Sequence, residues 1–372
     1  MPHISDSNDD ALDTVPPPQP VFYAEQALLG ALLLEPWRLD FVTGIGPAAF
    51  STASHAAVFA AIRSLPAPDP AEHAKNTKWL EAVLTGARER ARGLTASYLH
   101  SLIQVCPWPR HAPAYARMIE AEHARRLLRA TAQRLAQTAR DSSLPHPVPS
   151  TLTEADALAA VVDTIAATFP PHSGALPRPS APPPTNSQDD GAAVGEERLL
   201  LATAIAHPGD VEQMKWLTAG DFTLPLHAGL WQCLTALTRR HAPVDPITVL
   251  WEAQQRGLLD AATEPRQLLD VLAEPAGSPE HWGERILQRT LLTTAHHVGR
   301  LVEAFTTDSA TTPYQLIVGS RRALADLSAV RARWHLATSP APTAKPARAR
   351  AKTAPRASPP RTRALPGARI SR

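Results

Sequence analysis

The sequence predicts an all-α protein, and three observations carry that expectation. Apolar residues recur at helical spacing, as in Val58, Ile62 and Leu65 or in Leu287, Leu291, Ala295, Val298 and Val302. Each set lies along one face of a 3.6-residue helix. No stretch alternates apolar and polar residues over a strand's length. The same helical pattern is also written twice, in two halves separated by a Pro-rich segment.

The repeat is legible at the opening of each half. "AEQALLGALLLEP" (24–36) returns as "EERLLLATAIAHP" (196–208), without a gap, at a shift of 172. At that shift Glu25 meets Glu197, Leu28 meets Leu200, Leu29 meets Leu201, Pro36 meets Pro208, Phe50 meets Phe222 and His55 meets His227. "HAAVFAAIRSL" (55–65) then lies on "HAGLWQCLTAL" (227–237), with the stripe Val58, Ile62, Leu65 matching Leu230, Leu234, Leu237. Coincidence of apolar, Pro and His positions marks an internal duplication.

Taken in order, residues 1–20 are polar and Pro-rich, a disordered terminus by composition. Residues 21–140 form the first helical unit. After a Pro/Ser break at 141–151, a trailing amphipathic helix is expected at 152–169. Residues 170–195, "PPHSGALPRPSAPPPTNSQDDGAAVG", hold too little apolar material to fold and are expected to be a linker. The second unit occupies 196–335, trailing helix included, and 336–372 is a basic Pro/Ala/Arg tail. Within the second unit, Asp245 is placed to cap a helix that Pro246 opens, and Gly257 to end it in the left-handed conformation. The first unit keeps Asp69-Pro70, diverges, and recovers at "GLTASYLHSLIQVCP" (93–107), which parallels "EPRQLLDVLAEPAG" (264–277). Each unit then carries a long helix or hairpin, with Tyr115 on Trp282 and Ile119 on Ile286.

Charge is unevenly spread. The 372 residues carry a net +2, but 336–372 holds nine Lys or Arg and no Asp or Glu. The remainder is acidic, with 28 basic and 35 acidic residues. Cys106 and Cys233 lie in or beside apolar helical stretches, as buried reduced thiols do. No CxxC occurs, so zinc is not expected, and no cofactor is assigned. Asp6, Asp9, Asp10 and Asp13 stand where a signal peptide would be basic. The apolar run in the opening helix falls short of the roughly 20 residues that span a bilayer. A cytoplasmic protein without a membrane partner is expected.

The ordered set "EQALLGALLLEP", "HAAVFAAI", "VDPITVLWEAQQRGLL", "ASYLHSLIQVCP" and "YARMIEAEHARRLLRATAQRLAQTA" resembles the N-terminal domain of the bacterial replicative helicase DnaB. The resemblance covers roughly 21–140 and 196–305. It implies an all-helical head with a protruding helical hairpin that pairs with another hairpin, the pairs building a collar that primase or a helicase loader engages. It also implies that the trailing helices stand for the family's linker helix, and that the domain has no catalytic residues. Two departures accompany it. The phosphate-binding G-x-x-x-x-G-K-[ST] of the motor domain is missing from the sequence, and "GIGPAAF" (44–50) is no dinucleotide fingerprint. The head is also present twice.

No Ser/His/Asp or Cys/His arrangement stands out, so no catalytic residue is assigned. Candidate interface residues are Leu127, Leu128 and Leu135 on the first long helix and Leu287, Leu291 and Val298 on the second. Candidate nucleic-acid contacts are Lys345, Arg348, Arg350, Lys352, Arg356, Arg361 and Arg363 in the tail, which lacks aromatics for base stacking and could only neutralise phosphates. Arg125, Arg126, Arg129, Arg134 and Arg140 form either a basic face for a partner or the solvated side of a hairpin whose Leu side is buried. Gly30 is expected to serve close packing within the head, or else an assembly contact. Glu25 and Glu197 are expected as exposed first-turn carboxylates, with a partner contact as the alternative. His55 and His227 are expected as helix-start histidines and not metal ligands.

These features predict a non-catalytic, replication-associated protein that acts by contact with a replicative helicase, with primase, or with itself. Its two hairpins could pair within one chain, since some 25 linker residues reach roughly 25–30 Å. Two alternatives stand beside it: a DNA-binding accessory factor working through the tail, and a helicase subunit whose motor another chain supplies.

Overall fold

Proline opens nine of the fourteen α-helices that the computed structural model contains among its described residues, 19–170, 190–259 and 264–339. Proline has no N–H to lose in a first turn and its φ already suits a helix. Much of the chain's proline is thus helix punctuation as well as linker. No strand occurs among the described residues.

The first head comprises α1 (Pro20–Leu34), α2 (Ala53–Ser64), α3 (Pro70–His73), α4 (Lys78–Arg90) and α5 (Ala96–Val105). The first hairpin follows as α6 (Ala112–Thr138) and α7 (Pro147–Thr168). The second head repeats the plan with α8 (Asp190–Ala206), α9 (Pro208–Val211), α10 (Pro225–Arg239), α11 (Pro246–Gln255) and α12 (Pro265–Val271). The second hairpin is α13 (Pro279–Thr307) and α14 (Pro313–Thr338). Even the short 3-10 turns Pro47–Ala49 and Ala219–Asp221 correspond at the 172-residue shift.

Local signals explain the element ends. Asp245 caps α11 through the N–H groups of Ile247 and Thr248, and Gly257 follows at φ 69°. Asp69 caps α3 in the same way, but that helix lasts one turn before α4 takes over. Two boundaries differ from the sequence expectation. The trailing helix starts at Pro147, five residues early, because both Pro147 and Pro149 fit a first turn. Helix α8 starts at Asp190, inside the expected linker, and Ala193 is already buried. Residues 1–18, 171–189 and 340–372, which hold most of the expected disordered terminus, linker and tail, lie outside the described residues.

The described residues through Ala337 belong to one unit, yet they enclose two cores. One joins the first head to the start of α6 and runs from Ala24 to Ile119. The other begins at Ala124, still on α6, and continues through α7, the second head, α13 and α14. The division therefore falls within α6. Its N-terminal part belongs to the first head, and the rest is built into a bundle with the second half of the chain. Each fully buried Leu or Val there adds about 1.5–3 kcal/mol, which makes the bundle a principal source of stability.

Candidate functional site at the paired hairpins

Helices α6 and α13 run antiparallel and touch along their buried stripes. Setting Ile119 on Ile286 also sets Ala112 on Pro279, Ala116 on Gly283, Leu128 on Ala295, Ala132 on Gly299 and Leu135 on Val302, all of them buried. Of these, Ala112, Ala116 and Ile119 pack into the first head and Gly283 lies against Met214 and Trp216 of the second, but around Ala132 and Gly299 the two long helices present the same positions of the repeat to each other, which is the signature of an approximate two-fold interface. The helices come closest where Ala132 meets Gly299. A Cβ on Gly299 would stand 2.6 Å from the Ala132 carbonyl oxygen and 2.8 Å from the Ala136 Cβ. Glycine is required there for the close approach.

Polar contacts bind the same surface. The buried Arg125 donates to the carbonyl oxygens of Thr306, Asp308 (2.7 Å), Ser309 and Thr311, just where α13 ends. A helix leaves its last four carbonyls without intrahelical partners; from the opposite hairpin this arginine satisfies one of them, Thr306, together with three carbonyls of the turn that follows. Arg129 donates to the hydroxyl and carbonyl of Thr306, and Gln133 to Glu303 at 2.7 Å. In the reverse direction His296 donates through Nδ1 to the Ala136 carbonyl at 3.0 Å. Burial pushes the His296 imidazole below its ordinary pKa; the Ala136 bond opposes this, while Arg140, Arg300 and His297 reinforce it. Across the outside, Arg321 of α14 pairs with Asp163 of α7 at 2.8 Å, and Arg331 holds both oxygens of Asp156. Arg333 anchors α14 to the second head through Asp221 and the Trp216 carbonyl.

These contacts locate the sequence-predicted residues. Leu128, Leu135, Leu287, Leu291 and Val298 are buried in the core that the two hairpins share with the second head. Leu127 lies on the outer side of α6, 44% exposed. The arginine segment is divided: Arg134 and Arg140 are exposed on the side away from the buried Leu128 and Leu135, while the others are bound to neighbouring elements. Arg125 and Arg129 cross to α13, Arg126 binds the Ala49 carbonyl, and Arg134 pairs with Glu154. The tail residues Lys345, Arg348, Arg350, Lys352, Arg356, Arg361 and Arg363 lie outside the described residues.

Each head is keyed by a buried pair that the sequence expectation misplaced. Glu25 and Glu197 are completely buried, not exposed. Glu25 accepts from His55 Nδ1 (2.6 Å) and from the Ser51 N–H and hydroxyl. Glu197 accepts from His227 Nδ1 (2.8 Å), the Thr223 N–H and Arg289. A buried carboxylate is tolerated only when bonded in this way. Burial, the largest single influence, resists ionisation of Glu197. The bonds from His227 and Thr223 and the Arg289 charge together outweigh it and hold the carboxyl below its usual value. The pairs tie the first helix of each head to α2 and α10, so His55 and His227 do stand at helix starts, but as structural partners. Gly30 serves packing: a Cβ there would overlap the Leu102 carbonyl and crowd Cys106. Burial pushes the Cys233 thiol up to about 11, the Arg256 and Arg240 charges lowering it and Glu252 raising it. Among the described residues no helix is long and apolar enough to cross a membrane.

The DnaB-like helicase N terminal domain family matches the chain twice, over residues 17–121 and 192–284, more than half its length in all. No curated protein and no solved structure matches it. The two matched stretches stop near the beginnings of α6 and α13. The heads therefore carry the likeness, and the crossing at Ala132 and Gly299 lies beyond it.

Proposed function

The chain belongs to the family of the DnaB-like helicase N-terminal domain, which it carries twice, and from that premise we propose a non-catalytic DNA-replication protein that works by protein–protein contact. The partner is a replicative helicase or primase, engaged through the heads. The observation that carries this reading is the bundle of α6, α7, α13 and α14. It uses the apolar hairpin faces within one chain, so a single molecule already has the form of a paired unit. Among the described residues, most large apolar side chains still exposed sit on the heads or the start of α6, among them Phe41, Trp108 and Met118 in the first half and Ile247 and Trp251 in the second. Exposed aromatic and Met side chains are characteristic anchors of protein interfaces. The missing phosphate-binding motif supports a role without ATP hydrolysis.

The test is retention of purified helicase and primase from the source cell on the immobilised chain, with and without residues 336–372, each before and after nuclease treatment. Retention of one of them by both forms supports the proposal. Retention of neither overturns it. Retention that needs the tail and disappears with nuclease favours the DNA-binding alternative.

A further inference from the structure

Although the two hairpins share one plan, their surfaces have diverged in complementary ways. Matching the buried stripes of the trailing helices sets Leu152 on Ile317, Leu158 on Ala323, Val162 on Leu327 and Ile165 on Val330. In that register Asp156 of α7 falls on Arg321 of α14. Helix α7 carries Glu154, Asp156 and Asp163 and no Lys or Arg. Helix α14 carries Arg321, Arg322, Arg331 and Arg333 against a single Asp326. The long helices differ too. Gly299 replaces Ala132 at the crossing, and Leu292 stands where the first copy has Arg125.

We infer that the bundle is heterotypic by construction: a first-copy hairpin accepts a second-copy hairpin and rejects its own kind. The interface is close to two-fold, so the contacts of a like-with-like pair follow from those observed. Two first-copy hairpins would put Ala132 against Ala132, where the present spacing admits no Cβ on one side. They would also set Asp163 against Asp156, where this chain has Asp163 against Arg321. Two second-copy hairpins would set Arg321 against Arg331, where this chain has Asp156 against Arg331. They would also leave Leu292 facing the helix-end carbonyls that Arg125 now satisfies. Exposed ion pairs add little stability, but like charges in the same places discriminate against wrong partners. The duplicated chain is thus committed to pairing its own two halves, or to exchanging a first-copy hairpin only for another first-copy hairpin. This concerns the hairpins alone and holds whichever partner the heads take.

The test uses the whole folded chain with a protease site placed within 171–189. After cleavage, isotope-labelled and unlabelled samples are mixed and weighed by native mass spectrometry. The expected species are 1:1 pairs of an N-terminal and a C-terminal piece, labels mixing only within that pairing. Pairs of two N-terminal or two C-terminal pieces, or pieces that part on cleavage, overturn the inference. In a second measurement, Asp156→Arg with Asp163→Arg speeds exchange about fivefold at low salt. Adding Arg321→Asp with Arg331→Asp restores the original rate. Unchanged exchange in the first variant, or no recovery in the second, contradicts the role given to these charges.

Discussion

Gly299 of α13 packs on the carbonyl of Ala132 of α6, and the two residues occupy the same position of the repeated unit. A contact between equivalent positions is what a symmetric dimer makes at its axis. Here one chain makes it with itself, and the rest of the molecule is arranged around that crossing.

Replacing Gly299 tests the closeness of the approach. In an open helix, Gly→Ala gains about 1 kcal/mol. Gly299→Ala is expected to reverse that sign and lose about 1–3 kcal/mol, because its Cβ meets backbone and not a flexible side chain. Gly195→Ala on α8, where a Cβ meets nothing within 4 Å, is expected to be neutral or stabilising by up to about 1 kcal/mol. Urea unfolding of both variants beside the parent measures the difference.

Arg125 and Arg134 lie on the same helix and have different consequences. Arg125→Leu, which installs the residue of the second copy, removes the donor shared by the Asp308, Ser309 and Thr311 carbonyls after α13, while Thr306 keeps Arg129, and is expected to cost about 1–3 kcal/mol. Arg134→Ala breaks an ion pair whose arginine is 53% exposed, and is expected to cost less than about 1 kcal/mol. Equal effects in thermal melts would refute the capping role.

The carboxyl of Glu197 makes the second head sensitive to acid. Its folded pKa is depressed, so its contribution is present above the unfolded carboxylate value, near 4.3, and is lost as pH falls through the folded value. Glu197→Gln is expected to lower stability at neutral pH and to flatten its decline on the acid side. Unfolding curves collected from about pH 6 down to about pH 3 should show a constant gap in stability at the upper end that narrows as pH falls.

His296 acts in a different window. Its pKa is lowered on folding, so the folded form binds a proton less readily than the unfolded chain. Stability is then full above the unfolded value, near 6.5, and declines as pH drops below it. His296→Gln is expected to remove part of that decline. Nuclear magnetic resonance titration of the imidazole, showing a midpoint below the ordinary histidine value near 6.5, checks the premise.

The sequence made the fold legible wherever the determinant is local or periodic. Asp245, Pro246 and Gly257 announce the ends of α11, and the stripe from Leu287 to Val302 announces the buried face of α13. The burial of Leu128, Leu135, Leu287, Leu291 and Val298 was legible for the same reason, since each lies on a helical stripe. Glu25 and Glu197 were not. The local signal at a first turn favours an exposed carboxylate, and only folding brings His55 and His227, thirty residues away, within hydrogen-bond distance. Their recurrence at one shift was the available signal. The destinations of Arg125 and Arg129 were hidden in another way. A long side chain on a helix flank can reach water or a neighbouring element, and its spacing alone does not choose between them.

Cross-linking tests the central claim, that the two hairpins of one chain pair with each other, most directly. Gln133 and Glu303 touch across the crossing at 2.7 Å. In the variant Gln133→Cys with Glu303→Cys, a short bismaleimide at high dilution should join the two positions within a band of monomer mass, the linked peptides being identified by mass spectrometry. Linkage found only at dimer mass, or no linkage between these positions, would contradict the account.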